Sequence, residues 1–484
     1  MTVSVSAGVA VAEPVLEPLL PVLAPWLETR RWFSAGGGPL DDIRPVVVSV
    51  VHDDAPVLVH AVLRTRHRDG TEQLYQLFLG LCPELPARLA GAAIATVPEG
   101  RRQGWTVYEA TEDPALMGVL LRSLAARDRR GGPRLELTSA HPLPVGLVPR
   151  LLSADQSNSA VVYGDRLLFK IYRRPEPGPH LEVEALRALT ERHCTRTPEL
   201  HGTLYTDAPG GEGLVLGLFE EFLPVAADGW ETAVRQASDS IDGTGTTVPA
   251  TGGFTAQARA LGGAVAEVHT LLADAFPRIR VTPEEVAEEA RLMNRRLKLA
   301  AVEVPALDRY RGRIGALYDD YARHAGRGCP VFAQRVHGDL HLGQALPTPD
   351  GWRLIDFEGE PDRSAAERAG PQSVLRDVAG MLRSFDYAAR TGLAAVRKRS
   401  AGPAPGLRLR HLRRADAWTV RNRRAFIAGY AEAGGTDPRC QPVPLRAFEA
   451  DKAVYEAVYE SRHRPDWLGI PLTAVHRLAG VRGG

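Results

Sequence analysis

The stretch Val331–Pro361 reads VFAQRVHGDLHLGQALPTPDGWRLIDFEGEP and sets His337, Asp339, His341, Asp356, Glu358 and Glu360 into two short apolar segments. Carboxylates beside residues patterned for burial cost on the order of several kcal/mol each unless something positive meets them. The pattern reads as a loop followed by a hairpin, with TPDG as the turn and WRLIDFEG as the returning strand, which brings Asp339 toward Asp356. Two carboxylates and the amide carbonyl of Gln344 are hard oxygen donors of the sort magnesium accepts, the ion filling its other positions with water and phosphate oxygens. A rival reading uses the same letters. His337, Asp339 and His341 alternate, so on a strand they share one face and could bind zinc or another transition metal as a hydrolase site.

Upstream residues separate the two. A phosphoryl-transfer enzyme also needs a phosphate-binding turn, a lysine on the phosphates and a carboxylate to hold that lysine. The segment DQSNSAVVYGDRLLFKIY supplies a small polar turn at Ser157, Asn158 and Ser159 between two strands, where backbone N–H groups and hydroxyls can line a triphosphate. By itself such a turn is common. Lys170 follows in an apolar strand, and it stands out because arginine is the default cation here: of 59 basic residues only four are lysine, and Lys170 is alone in the first 297 positions. A strand-borne ammonium between Phe169 and Ile171 needs an anionic partner. The next helix offers Glu182 or Glu184, and periodicity does not choose between them.

Bulk composition narrows the class. With 484 residues, 44% of them hydrophobic, the chain can bury a large core and form two or three domains. Its 59 basic and 58 acidic side chains nearly cancel, which argues against a nucleic-acid or membrane partner and for a small-molecule one. The opening MTVSVSAGVAVAEP has no basic leader, and no apolar run reaches the roughly 18 residues of a membrane span, so a cytoplasmic location is expected. Cys82, Cys194, Cys329 and Cys440 lie far apart and form neither a zinc pattern nor a disulfide framework.

Along the chain, leucines at helical spacing over residues 14–35 precede the alternating segments IRPVVVSVVHDD, PVLVHAVLRTRH, EQLYQLFLGL and GWTVYEAT, which predict an antiparallel sheet behind a leading helix. DPALMGVLLRSLAARD predicts a helix. Residues 141–174 read as strand, turn, strand, turn, strand; HLEVEALRALTERH as a helix; and PELHGTLYT and EGLVLGLFEEFLP as two further strands. From DGWETAV onward the pattern is helical apart from the quoted stretch. Lys452, Tyr455, Glu456 and Tyr459 share one helix face, the mixture of planar and charged groups that suits a sugar, or else a solvated helix.

HGDLHLGQ followed by IDFEGEP resembles the catalytic loop and metal-binding motif of the aminoglycoside-phosphotransferase-like kinases, and this version is similar to the bacterial maltokinases. Supporting strings are SNSAVVYGDRLLFKIYRR, LGLFEEFLPVAADGW, LRDVAGMLRSFDYAA and EADKAVYEAVYESRHRPDWLGIPL, together spanning residues 150–475; WLETRRWF resembles the family's cap. The resemblance implies an α+β, bilobal, protein-kinase-like fold with a β-rich cap (14–110), a β-sheet N-lobe with phosphate turn and hinge (111–224) and an α-helical C-lobe (225–484). It implies Asp339 as catalytic base, Gln344 and Asp356 as magnesium ligands, and Lys170 on the ATP phosphates, best matched with Glu182. It makes the segment containing Glu221 and Phe222 the adenine hinge and demotes His337 and His341 to supports of the loop. The implied reaction is ATP-dependent phosphorylation of maltose to maltose 1-phosphate, with Lys452, Tyr455, Glu456 and Tyr459 around the sugar. Glucosamine or an aminoglycoside is the alternative acceptor. The chain is expected to act as a monomer or beside a trehalose-metabolising enzyme.

Overall fold

A computed structural model describes residues 13–33, 38–126, 133–138, 142–152, 158–207, 213–243, 253–360, 363, 365–399 and 405–480. The chain divides into two units, Met1–Arg187 with Pro198–Pro224, and Ala188–Thr197 with Val225–Gly484.

In the first unit, helix α1 (Leu20–Glu28) leads into β1 (Leu40–His52), β2 (Val57–His67), β3 (Glu72–Cys82), β4 (Ala93–Thr96) and β5 (Thr106–Glu109), an antiparallel sheet ordered β1-β2-β3-β5-β4. Strand alternation explains how this sheet is covered on both faces. Val57, Val59, Ala61 and Leu63 pack with Leu16, Leu19, Leu23 and Leu27, which recur at helical spacing. Leu58, Val62 and Phe78 point the other way, into a core shared with Phe169 and Phe219.

That second core belongs to a six-stranded antiparallel sheet of β6 (Arg134–Leu137), β7 (Pro149–Leu151), β8 (Ser159–Tyr163), β9 (Leu167–Ile171), β10 (Leu200–Asp207) and β11 (Gly213–Glu221), ordered β6-β10-β11-β9-β8-β7. Helix α2 (Pro114–Ala125), capped by Asp113 through the Ala115 N–H, precedes it, and α3 (Leu181–Glu191) follows β9. Gln76 joins the sheets: its amide nitrogen donates to the carbonyls of Tyr172 at 3.0 Å and Leu216 at 2.7 Å while its Oε1 accepts from His60 Nε2 at 2.9 Å. Burial pulls His60 down to about 4, so its ring is neutral at pH 7.

The second unit is helical, with α4 (Gly229–Asp242), α5 (Gly253–Ala275), α6 (Pro283–Glu303), α7 (Arg311–Gly326), α8 (Leu375–Arg399), α9 (Pro405–Glu432), α10 (Pro442–His463) and α11 (Gly469–Leu478). Two ribbons interrupt it: β12 (Ile279–Val281) with β13 (Val331–Ala333), which the sequence pattern does not announce, and the expected hairpin of β14 (Ala345–Thr348) and β15 (Gly351–Leu354). Helix α8 is buried almost all round through Ala389, the mark of a central helix. Helices α5 and α9 touch through backbone, because a Cβ on Gly262 would stand 2.1 Å from the Phe426 carbonyl and one on Gly429 1.9 Å from that of Arg259. The chain has the α+β, kinase-like architecture with a β-rich cap that the sequence predicts.

Candidate functional site

In the first unit Leu167, Phe169 and Ile171 of β9 point into the core, which turns Lys170 to the opposite face. Its ammonium bonds both Glu182 carboxylate oxygens, at 3.0 and 2.9 Å, with the Lys170 side chain 12% and that of Glu182 1% exposed. Tyr172 donates its hydroxyl to Glu182 Oε2 at 2.7 Å and stacks on His180. The structure thus pairs the lysine with Glu182 and not Glu184. Ser159 opens β8, and its hydroxyl accepts from buried Arg173 at 2.8 Å. Asn158 sits in the bend just before it, while Ser157 lies outside the described residues. Glu221 ends β11. The N–H groups of Glu221 and Phe222 donate to the carbonyls of Glu199 and Arg166.

In the second unit, the loop carrying Asp339 hangs from one buried acid. Asp377 on α8 accepts the N–H of His337 at 2.8 Å and of Gly338 at 2.9 Å, and its Oδ2 meets His269 Nε2 at 3.0 Å. Although burial opposes its charge, these donors hold Asp377 below the usual carboxylate range. A Cβ on Gly380 would stand 2.6 Å from the Leu340 carbonyl, so α8 approaches the loop as only glycine permits. Asp377 escaped the sequence reading. An acid one turn into an apolar helix, LRDVAGML, was its only signal.

The hydrolase reading of His337, Asp339 and His341 is corrected. These residues lie in a loop, not on a strand, and among the described residues their ligand atoms do not gather within reach of one ion. His337 gives its Nε2 to the Ile355 carbonyl at 2.9 Å, and His341 accepts the Gly343 N–H on Nδ1 at 3.0 Å. Burial lowers the His341 pKa, so its ring is neutral and carries its proton on Nε2. Gln344 and Asp356 do meet: the amide lies 2.8 Å from Asp356 Oδ2. The returning strand ends at Leu354, and Asp356 takes a left-handed backbone with φ of 67° instead of continuing it. A carboxylate and an amide side by side are a fitting start for a hard cation, since a half-turn of the amide presents its oxygen.

Beside Asp339 opens a cavity of about 420 Å³, within the usual range for small-molecule sites, and Lys452, Tyr455, Glu456 and Tyr459 of α10 all line it. Trp230, Trp467 and Tyr387 add flat surface, with the two indoles 6.3 Å apart. Lys452 Nζ lies 3.0 Å from Asp339 Oδ1 and 2.7 Å from Glu360 Oε1. Burial works against its charge, and the two carboxylates outweigh that and raise its pKa. Glu456 takes the Arg383 fork at 2.6 and 2.9 Å, from a guanidinium with no exposed surface that also bonds Asp386 at 2.5 Å. Burial pushes the Glu456 carboxyl up, and the fork opposes it. Glu460 pairs with Arg464. Asp228, at the start of α4, accepts the Glu231 N–H but has no cationic partner among the described residues, which leaves it as the cavity's uncompensated carboxylate.

A kinase-type loop, a lysine–glutamate pair and a beta-rich cap define a class of phosphotransferase, and comparison with known proteins agrees. Residues 149–418 match the model of the phosphotransferase enzyme family, and residues 26–113 match that of the maltokinase N-terminal cap domain. The chain belongs to the phosphotransferase enzyme family as a maltokinase-like member, and its phosphoryl acceptor is a hydroxyl group. It is 29% identical to a glucosamine kinase of Mycolicibacterium smegmatis over 68% of this chain and 79% of that protein. A glucosamine kinase of Streptacidiphilus jiangxiensis is 30% identical over 66% of this chain and 71% of that one. The solved structure of a glucosamine kinase with glucosamine, ADP and inorganic phosphate shares the fold, at 23% identity and a TM-score of 0.66 over 99% of this chain and 100% of that one. No helix among the described residues is long and apolar enough to cross a membrane.

Proposed function

We propose that this chain is an ATP-dependent sugar kinase whose acceptor is an amino sugar of the glucosamine type. The observation that carries the reading is the cavity beside Asp339, flat and aromatic on one side and holding in Asp228 a carboxylate without a cation. A protonated amine adds a charge-assisted bond to that carboxylate, which a neutral sugar cannot supply. The two curated relatives described above point the same way. In this reading Asp339 receives the hydroxyl proton, and Lys170, oriented by Glu182, holds the α- and β-phosphates with Ser157, Asn158 and Ser159. The segment with Glu221 and Phe222 meets adenine, and Gln344 and Asp356 hold magnesium. The metal would supply positive charge to the phosphate oxygens. Tyr455, Tyr459 and the Trp230–Trp467 pair present flat surface to the sugar ring, and Glu456 presents a fixed acceptor.

Maltose is the second reading, favoured by the cap-domain match over residues 26–113. A panel of glucosamine, maltose, glucose and kanamycin with ATP and magnesium, read by ADP release, separates them. Glucosamine is expected to turn over fastest, with activity lost on chelation of the metal. In Asp339→Ala turnover disappears while nucleotide binding persists. Faster turnover of maltose selects the second reading, and full activity in Asp339→Ala overturns both.

A further inference from the structure

Lys452 lies on the cavity wall, but two of the three hydrogens of an ammonium are already committed, to Asp339 Oδ1 at 3.0 Å and Glu360 Oε1 at 2.7 Å. Its side chain is 21% exposed, and the Tyr455 ring lies 4.8 Å away. Glu360 does not line the cavity; its carboxylate is 8% exposed, and its second oxygen is held by Arg363 Nε at 2.6 Å. Asp339 Oδ2, by contrast, takes no hydrogen bond from any described residue. One oxygen of the carboxylate is therefore tied down and the other is open. A carboxylate turns easily about its last torsion, and charge-assisted bonds are short and strong enough to stop it.

We propose that Lys452 is a positioning residue for Asp339, held in place by Glu360, and not a ligand of the sugar. The series Arg363, Glu360, Lys452, Asp339 fixes Oδ1 so that Oδ2 faces the acceptor hydroxyl, and it brings the acceptor helix α10 into register with the catalytic loop. The inference rests on the reading of Asp339 as the base. Holding the proton acceptor in line is the part of phosphoryl transfer that protein groups control.

Kinetics of the full chain with ATP and glucosamine test it. Lys452→Met is expected to lower kcat about 100-fold, the scale of losing an oriented general base, with the glucosamine KM within about threefold of wild type. Lys452→Arg restores the charge and should recover at least about tenfold of that loss. Glu360→Gln, which leaves the cavity wall untouched, should lower kcat about tenfold at unchanged KM. An unchanged kcat with a tenfold higher KM in Lys452→Met would make the lysine a sugar ligand and overturn the proposal, as would wild-type kinetics in Glu360→Gln. Should the wild type turn over none of the four acceptors, the kinase reading falls first. Unfolding midpoints then test the tie: non-additive losses for Lys452→Met and Asp339→Asn support it, and additive losses overturn it.

Discussion

Lysine and arginine are not equivalent at Lys170. The ammonium sits between both oxygens of a carboxylate that is 1% exposed, a geometry for a compact point charge on a slim stem. Lys170→Arg keeps the charge but replaces the point with a planar fork, and kcat/KM for ATP should fall about 100-fold or more, the scale of losing one preorganised electrostatic contact. Glu182→Gln does a different kind of damage. It replaces the carboxylate that bonds the Lys170 ammonium at 2.9 and 3.0 Å and accepts the Tyr172 hydroxyl with a neutral amide, so chemical denaturation should show a loss of about 1–3 kcal/mol. A stability equal to wild type in that variant would mean that the ion pair adds nothing to the folding free energy.

Among the elements, α8 does most to shape the loop. Its Asp377 is 1% exposed and receives two backbone N–H groups of the HGD segment together with His269. Asp377→Ala would orphan these donors at roughly 1–3 kcal/mol each. Urea unfolding should therefore report a loss of at least about 3 kcal/mol, accompanied by a fall in kcat that added substrate does not restore. A variant of normal stability and activity would show that the loop keeps its shape without α8. Helix α10 has the complementary task, since one of its faces carries Lys452, Tyr455, Glu456 and Tyr459 to the cavity.

For the whole molecule, stability should fall on acidification in two windows, an upper one set by buried neutral histidines, His60 in the first unit and His341 in the second, and a lower one set by buried carboxylates. His60 in the first unit has its pKa depressed to about 4 from an ordinary 6.5, so the unfolded chain takes up a proton that the folded one refuses. That contribution is complete above pH 6.5 and declines as pH falls toward 4, by about 3 kcal/mol at most. In the second unit Glu360 and Asp386 are both held down to about 2, against burial, by Lys452 and Arg363 in one case and by Arg383, Arg423 and Arg477 in the other. Their contributions, about 2–3 kcal/mol each, are present above the unfolded carboxylate range and are lost as pH falls from about 4.5 to 2. Denaturant melts from pH 8 to 2, followed by tryptophan fluorescence and circular dichroism, should show the two windows, and His60→Leu should make the first shallower. A single transition confined below pH 4 in wild type would refute the assignment to His60.

By itself the sequence determined the chemical inventory and the class of fold. Alternating strands ahead of amphipathic helices follow from local periodicity, and the scarcity of lysine singled out Lys170 and Lys452 in a chain that otherwise uses arginine. Tertiary structure decided who meets whom. The choice of Glu182 over Glu184 depends on the phase in which α3 packs, which a short helix does not reveal in its own letters. The bond from Lys452 to Asp339 spans 113 positions, and that from Arg383 to Glu456 spans 73. Asp377 and Arg383 read as ordinary polar residues of a helix until α8 proves to be buried on nearly every side. Periodicity orders neighbours along one element, whereas a buried charge is matched by whatever packing brings within about 3 Å, and only the folded chain settles that.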